Sequence, residues 1–289
     1  MEQKASQVSS KDGSHKKKEE ENKVVDEEWL VPVEINVAEK RDDGVVRIVL
    51  ISDTHNRHRM LKMPEGDVLI HAGDFTNKGT EQEIREFDAW LASLDYQHKI
   101  VVPGNHDKGM DSKTKQGGVP VQVTEVTNAN VLRGEMVEVM GLRVFGLPHT
   151  LDLPLGREMS AFGCGTEEEM KERAGGIPSA NVDILVSHSP PWGIGDTNRT
   201  GKHCGSQGLR EVVLNADQLP KLWAFGHVHE SGGSTYRAKG TETILMNAAS
   251  FLRSEEGLRP PVVIDICKET KAPLGMTAVA NKDVLGSET

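Results

Sequence analysis

The sequence has little cysteine, no surplus of positive charge and no long apolar run. Its three cysteines, Cys164, Cys204 and Cys267, are odd in number, far apart and in no C-x-x-C arrangement. A disulfide framework and a zinc finger are therefore not indicated, and a reducing compartment fits best. Lys and Arg number 34 against 44 Asp and Glu, a formal charge of −10, so the overall field repels nucleic-acid backbones and anionic membranes. A phosphate-bearing substrate would need a local positive source, such as metal ions. No apolar stretch approaches the roughly 20 residues of a spanning helix, and the N-terminus is too polar for a signal peptide. A cytoplasmic protein without membrane or nucleic-acid partners is expected.

What is present is organised in three parts. Residues 1–28 carry almost no large apolar side chains and include the block Lys16-Lys-Lys-Glu-Glu-Glu21, which cannot offset the entropy of ordering and predicts a disordered charged tail. Residues 271–289 are small and polar and predict a flexible C-terminal tail. Between them, residues 29–270 are long enough to bury a substantial core. Short β-branched apolar runs recur there: Val45–Ile51, Asp67–His71, Lys99–Val102, Val182–Val186 and Lys221–Phe225. Runs of this kind read as strands buried on both faces. Later strands are predicted at 243–247 and 261–266, and a strand pair over 131–147. Ile84, Phe87, Leu91 and Leu94 stand at helical spacing within 81–94, and further helices are predicted at about 166–174 and 206–215. Such alternation argues for an α/β domain with its site at the C-terminal ends of strands.

Each of the five buried strands ends in Asp, Asn or His. The ends read Asp53-Thr-His55, Gly73-Asp74, Gly104-Asn-His-Asp107, Ser187-His188 and Gly226-His-Val-His229. Singly, these are a helix cap, a turn and a loop; together, at strand ends, they supply oxygen and imidazole donors with no thiolate. That donor set suits hard to borderline divalent ions. In an extended chain, alternate residues such as Asp-x-His or His-x-His point to the same side and bring two donors to one cavity.

In this order the motifs resemble the calcineurin-like metallophosphoesterase superfamily, whose pattern D-x-H, G-D, G-N-H-[DE], H, G-H-x-H is met without a gap over about residues 46–266. Ile51-Ser-Asp-Thr-His55, His71-Ala-Gly-Asp-Phe-Thr76, Ser187-His-Ser-Pro-Pro191 and Phe225-Gly-His-Val-His-Glu230 are similar to the small MPPED-type members. The resemblance implies two packed mixed β-sheets flanked by helices, and two divalent ions, Mn, Fe, Zn, Ni or Co with Mn favoured. It implies a first metal held by Asp53, His55, Asp74 and His229, and a second by Asp74, Asn105, His188 and His227. A metal-bridging hydroxide would attack phosphorus in line. His106 would protonate the leaving oxygen or steady the transition state, with Asp107 orienting its ring.

Asn56, His58, His149 and His203 lie in segments expected to rim the cavity and are substrate-contact candidates. His71 is expected to be a buried, hydrogen-bonded residue rather than a ligand, and Cys204 a plain loop thiol. Some MPPED-type relatives resemble the Gly226–His229 stretch but carry glycine in place of the first histidine; this chain keeps His227. The resemblance implies hydrolysis of a small phosphoester, with nucleotides among the candidates. A protein phosphatase would resemble G-D-x-x-D-R-G after the second motif, where arginine grips phosphate. Here the stretch is Gly73-Asp-Phe-Thr-Asn-Lys-Gly79, and a lysine is a point charge without the bidentate fork. A phosphodiesterase is therefore the preferred reading, with a phosphomonoesterase or protein phosphatase as the alternative. A non-catalytic metal-bearing scaffold is the other class, opposed by the full ligand set.

Overall fold

The computed structural model describes residues 30–32, 43–113, 115, 116, 119, 120, 123–151, 160–252 and 257–278. The predicted N-terminal tail lies outside them. Two mixed sheets form the body. The six-stranded sheet has the order Pro273–Ala278, Val262–Cys267, Val45–Ile51, Val68–His71, His98–Val101 and Asn130–Val131. Its last four strands are parallel and its first two antiparallel. The seven-stranded sheet runs Leu30–Pro32, Thr235–Ala238, Ile244–Asn247, Leu222–Phe225, Ile184–Ser187, Leu142–Leu147 and Met136–Val139. The four strands from Ile244–Asn247 to Leu142–Leu147 are parallel.

The central strands of both sheets are buried on two faces, as their uninterrupted apolar runs require. Val46, Ile48 and Leu50 of one sheet pack in a common core with Ile184, Val186, Leu222, Ala224 and Met246 of the other. The intervening residues face outward under helices. Val49, Ile51 and Leu69 meet Ile84, Phe87, Trp90 and Leu91 of helix α1, Glu81–Ala92. Leu185, Trp223 and Phe225 meet Met170 and Ala174 of α2, Glu167–Ala174, and Leu209 and Val213 of α3, Gln207–Leu214. Each large side chain buried in this way contributes about 1.5–3 kcal/mol. Helix α1 starts at a capping box: Thr80 Oγ1 accepts the Glu83 N–H at 3.3 Å, and the Glu83 carboxylate accepts the Thr80 N–H at 3.0 Å.

The C-terminal boundary differs from expectation. Pro273–Ala278 is a strand, paired antiparallel with Val262–Cys267, so the folded part extends past 270. Proline and glycine disguise it in sequence, but as a sheet edge it tolerates both. Among the described residues no helix is long and apolar enough to cross a membrane.

Candidate metal centre

The motif residues gather where the parallel strands of both sheets end. Val45–Ile51 leads to Asp53 and His55, Val68–His71 to Asp74, and His98–Val101 to Asn105 and His106. Ile184–Ser187 leads to His188, and Leu222–Phe225 to His227 and His229. The chain turns sharply to aim these side chains inward. Asp53, His55, Asp74 and His227 all have left-handed backbones, with φ of 52°, 43°, 55° and 69°. Such conformations cost on the order of 1–3 kcal/mol each and persist only where surroundings enforce them. Here the Asp53 N–H donates to Gly73 O at 2.8 Å and the His55 N–H to Asp74 O at 3.0 Å. The His227 N–H donates to both Asp53 oxygens, at 2.9 and 3.1 Å. Gly104 is there for close approach: a Cβ would collide with the Asp74 carboxylate and backbone N, and with the His188 ring.

Two donor groups result. In the first, His229 Nε2 lies 3.2 Å from Asp53 Oδ1 and 3.1 Å from His55 Nε2. In the second, Asn105 Oδ1 lies 3.1 Å from His188 Nε2 and 2.9 Å from His227 Nδ1. Asp74 stands between them, its Oδ1 3.3 Å from His188 Nε2 and its Oδ2 3.9 Å from His55 Nε2. The donor atoms of Asp53, His55 and His229 all lie within 4.8 Å of one another, as do those of Asp74, His188 and His227. His188 Nδ1–H donates to Ala72 O at 2.8 Å, and His55 Nδ1–H to Thr76 O at 3.2 Å. These carbonyls fix the tautomer and leave each Nε2 facing the cluster, the arrangement typical of metal-ligating histidines. Buried carboxylates, converging imidazole nitrogens and the lack of thiolate fit a pair of divalent cations.

Protons register the same need for positive charge. Against its burial, Asp74 raises His188 to about 9, and His188 in turn holds the buried Asp74 well below the carboxylate range. Burial, helped by His188, pushes His227 down to about 4. A cation at Asp74 must displace the His188 proton, so binding weakens as pH falls.

The expected role of Asp107 needs correction. Its carboxylate is fully buried and accepts four hydrogen bonds: from Asp74 N (2.9 Å), Gly104 N (2.8 Å), Thr76 N (2.9 Å) and Thr76 Oγ1 (2.7 Å). It braces the two loops that carry Asp74 and Asn105. The ring of His106 is oriented instead by Asn77, whose carbonyl accepts from Nδ1 at 2.8 Å. His106 itself stands 4.8 Å from the His55 ring, edge to face, and one of its ring nitrogens lies within 4.8 Å of the donor atoms of His55 and Asp74.

The substrate-contact candidates are scattered. His58 is 3% exposed and packs against Trp90 and Phe87, ring centres 4.8 and 5.3 Å away. It belongs to the helix α1 core and not to the rim, because the short turn His58–Met60 swings it beneath the helix. Asn56 gives its amide to Glu83 at 2.6 Å, so it too is engaged with the helix. His149 lines a separate cavity of about 780 Å³ with Phe162 and Arg173. His203 donates Nδ1–H to the buried Asp196 at 2.7 Å and lies beside Trp192. His71 is buried and neutral: burial pushes it down to about 3, its Nδ1 accepts from Gly73 N, and its Nε2–H donates to Thr54 Oγ1 at 2.9 Å. Cys204 is a loop thiol, raised by burial.

Sequence reasoning missed two residues beside the first donor group. Phe251 packs against His229 and His55, ring centres 4.8 and 5.2 Å away, and Arg57 lies over the Phe251 ring. No spacing signal joins residues 57 and 251; the pairing of Ser52 with Ala249 brings their segments together.

Residues 46–231 match the family of calcineurin-like phosphoesterases. The chain is 34% identical over 249 residues to human metallophosphoesterase domain-containing protein 1, covering 77% of this chain and 72% of that protein. It is 34% identical over 240 residues to a UPF0046 protein of Caenorhabditis elegans, covering 78% and 82%. A probable glycerophosphodiester phosphodiesterase GpdQ of Arcobacter nitrofigilis is 24% identical over 217 residues, covering 74% and 71%. A purple acid phosphatase from yellow lupin seeds is similar with a TM-score of 0.40 at 11% identity, over 83% of this chain and 54% of that one. This chain therefore belongs to the calcineurin-like phosphoesterase family and is a metal-dependent phosphoesterase.

Proposed function

We propose that the protein is a phosphodiesterase with two divalent ions, manganese being favoured, acting on a small phosphoester in the cytoplasm. The observation that carries this reading is the pair of donor groups sharing Asp74. Asp53, His55, Asp74 and His229 would hold one ion, and Asp74, Asn105, His188 and His227 the other. When bound, such a pair supplies an activated water and neutralises phosphoryl oxygens. The side chains do the rest. Asp107 holds the Asp74 and Gly104 backbones rigid, fixing the donor positions on which in-line geometry depends. The Asn77 carbonyl holds an Nδ1–H of His106, so the doubly protonated ring would give its second proton, on Nε2, to the leaving oxygen and keep the first. Preference for diesters is supported by the relative named as a glycerophosphodiester phosphodiesterase and by the lack of arginine in the Gly73–Gly79 stretch.

The test is hydrolysis of bis-p-nitrophenyl phosphate by the manganese-loaded protein, beside p-nitrophenyl phosphate. The diester should be preferred, and His106→Ala should lower kcat by about 10²–10⁴-fold. Inactivity with each of Mn, Co, Ni, Fe and Zn would reject the hydrolase reading; preference for the monoester would reject the diesterase.

A further inference from the structure

The Gly73–Gly79 stretch has no arginine, but an arginine stands close to the Asp53 donor group from another segment. Arg57 follows His55 by two residues, and its guanidinium carbon stands 5.0 Å from the ring centre of Phe251. That ring lies 4.8 Å from His229 and 5.2 Å from His55, the two imidazoles of the Asp53 group. Phe251 is fixed there by contacts independent of Arg57. The Ser250 N–H donates to Ser52 O at 2.8 Å, and Arg259 Nη1 donates to Phe251 O at 2.9 Å.

The partners of the guanidinium distinguish it from four arginines that are held in ion pairs. Arg47, Arg85, Arg133 and Arg143 pair with Asp265, Glu81, Glu125 and Asp183. Among the described residues the Arg57 side chain has the Phe251 ring face and no carboxylate. The nearby Glu83 is engaged by Asn56 and by the Thr80 and Lys78 backbones. A cation–π contact holds the guanidinium plane without consuming its N–H donors, so the fork that suits phosphate oxygens is retained. In a chain of net charge −10, a cation at this point also gives an anion a local attraction.

We propose that Arg57 is an anion-binding residue of this site, donating to the oxygens of a phosphate group at the Asp53, His55 and His229 side, with Phe251 as the platform that keeps the guanidinium at the rim. This rests on the phosphoesterase reading for the identity of the anion, and its test does not depend on turnover.

Inorganic phosphate is titrated calorimetrically into the metal-loaded full-length protein, with metal content measured in parallel. Arg57→Ala should keep the parent's metal content while binding phosphate about tenfold or more weakly, the loss of a charge-assisted pair. Arg57→Lys should recover only part of that affinity, because an ammonium lacks the fork. Phe251→Leu should weaken phosphate by a smaller factor. The KM for bis-p-nitrophenyl phosphate should rise by a larger factor in Arg57→Ala than kcat falls. Phosphate affinity within twofold of the parent at equal metal content would overturn the proposal. So would loss of metal in step with phosphate, which would make Arg57 a packing residue, and so would failure of the loaded parent to bind phosphate. If phosphate binding weakens as expected but no phosphoester is hydrolysed, the anion site stands and the hydrolase reading falls.

Discussion

Asp107→Asn separates two roles that adjacency to His106 confounds. The Asp107 carboxylate accepts four hydrogen bonds, two on each oxygen, whereas an amide accepts on one oxygen only. The least costly orientation turns the NH₂ toward Thr76, whose hydroxyl can reverse and accept. The Thr76 N–H is then orphaned, at about 1–3 kcal/mol, and the remaining bonds lose their charge assistance at roughly 1 kcal/mol each. Part of that is returned. Burial and the neighbouring Asp74 push the Asp107 carboxyl up to about 7, and an amide relieves that repulsion. A net loss of about 2–4 kcal/mol results, which lowers Tm by roughly 5–15 °C for a domain of this size. Because the loosened donors include Asp74 N, metal occupancy should fall as well. Urea unfolding of the metal-free protein and metal analysis of the loaded protein measure the two effects. His106→Asn, whose ring meets Asn77 on the surface, should change stability by less than about 1 kcal/mol. If Asp107→Asn leaves stability and metal content at parent values and lowers only kcat, Asp107 orients His106 after all.

Three further outcomes are expected. His227→Gly removes the nitrogen 2.9 Å from Asn105 Oδ1 and should weaken the second metal and turnover with an unaltered circular dichroism spectrum; unchanged metal stoichiometry and activity would count against its assignment. Gly104→Ala forces a methyl group into the Asp74 carboxylate and the His188 ring, and should cost about 1–3 kcal/mol with reduced metal content; a melt and metal content matching the parent would contradict this packing. Burial pushes His58 down to about 4, while the unfolded imidazole titrates near 6.5. Stability is therefore lost as pH falls below about 6.5, by roughly 2 kcal/mol at pH 5. His58→Leu should shrink the difference in unfolding free energy between pH 7.5 and 5 by about that amount, and an undiminished difference would refute the linkage.

The sheets were legible because their strands are short, β-branched and stopped by polar residues, and helix α1 because its apolar stripe has helical spacing. The donor set was legible because strand ends converge once strands are parallel neighbours. Side-chain direction at loop positions was not. His58 lies three residues from His55 but on the other side of a short turn, under Trp90. Asp107 follows His106 but turns inward to backbone donors that no sequence pattern announces. The left-handed backbones at Asp53, His55, Asp74 and His227 also leave no signature, since aspartate and histidine are ordinary residues in other conformations. Arg57 and Phe251 meet through tertiary pairing alone.

The division of donors between the two sheets bears on when the centre can exist. The six-stranded sheet contributes Asp53, His55, Asp74 and Asn105; the seven-stranded sheet contributes His188, His227 and His229. Asp53 and His229, 3.2 Å apart in space, are 176 residues apart in the chain. Closing so long a loop carries an entropic penalty that must be met before the contact gives anything back. A half-assembled chain would thus lack part of the donor set. Ion uptake during refolding should report the final docking of the sheets, and a bound ion fastens together parts of the polypeptide that are synthesised far apart in time.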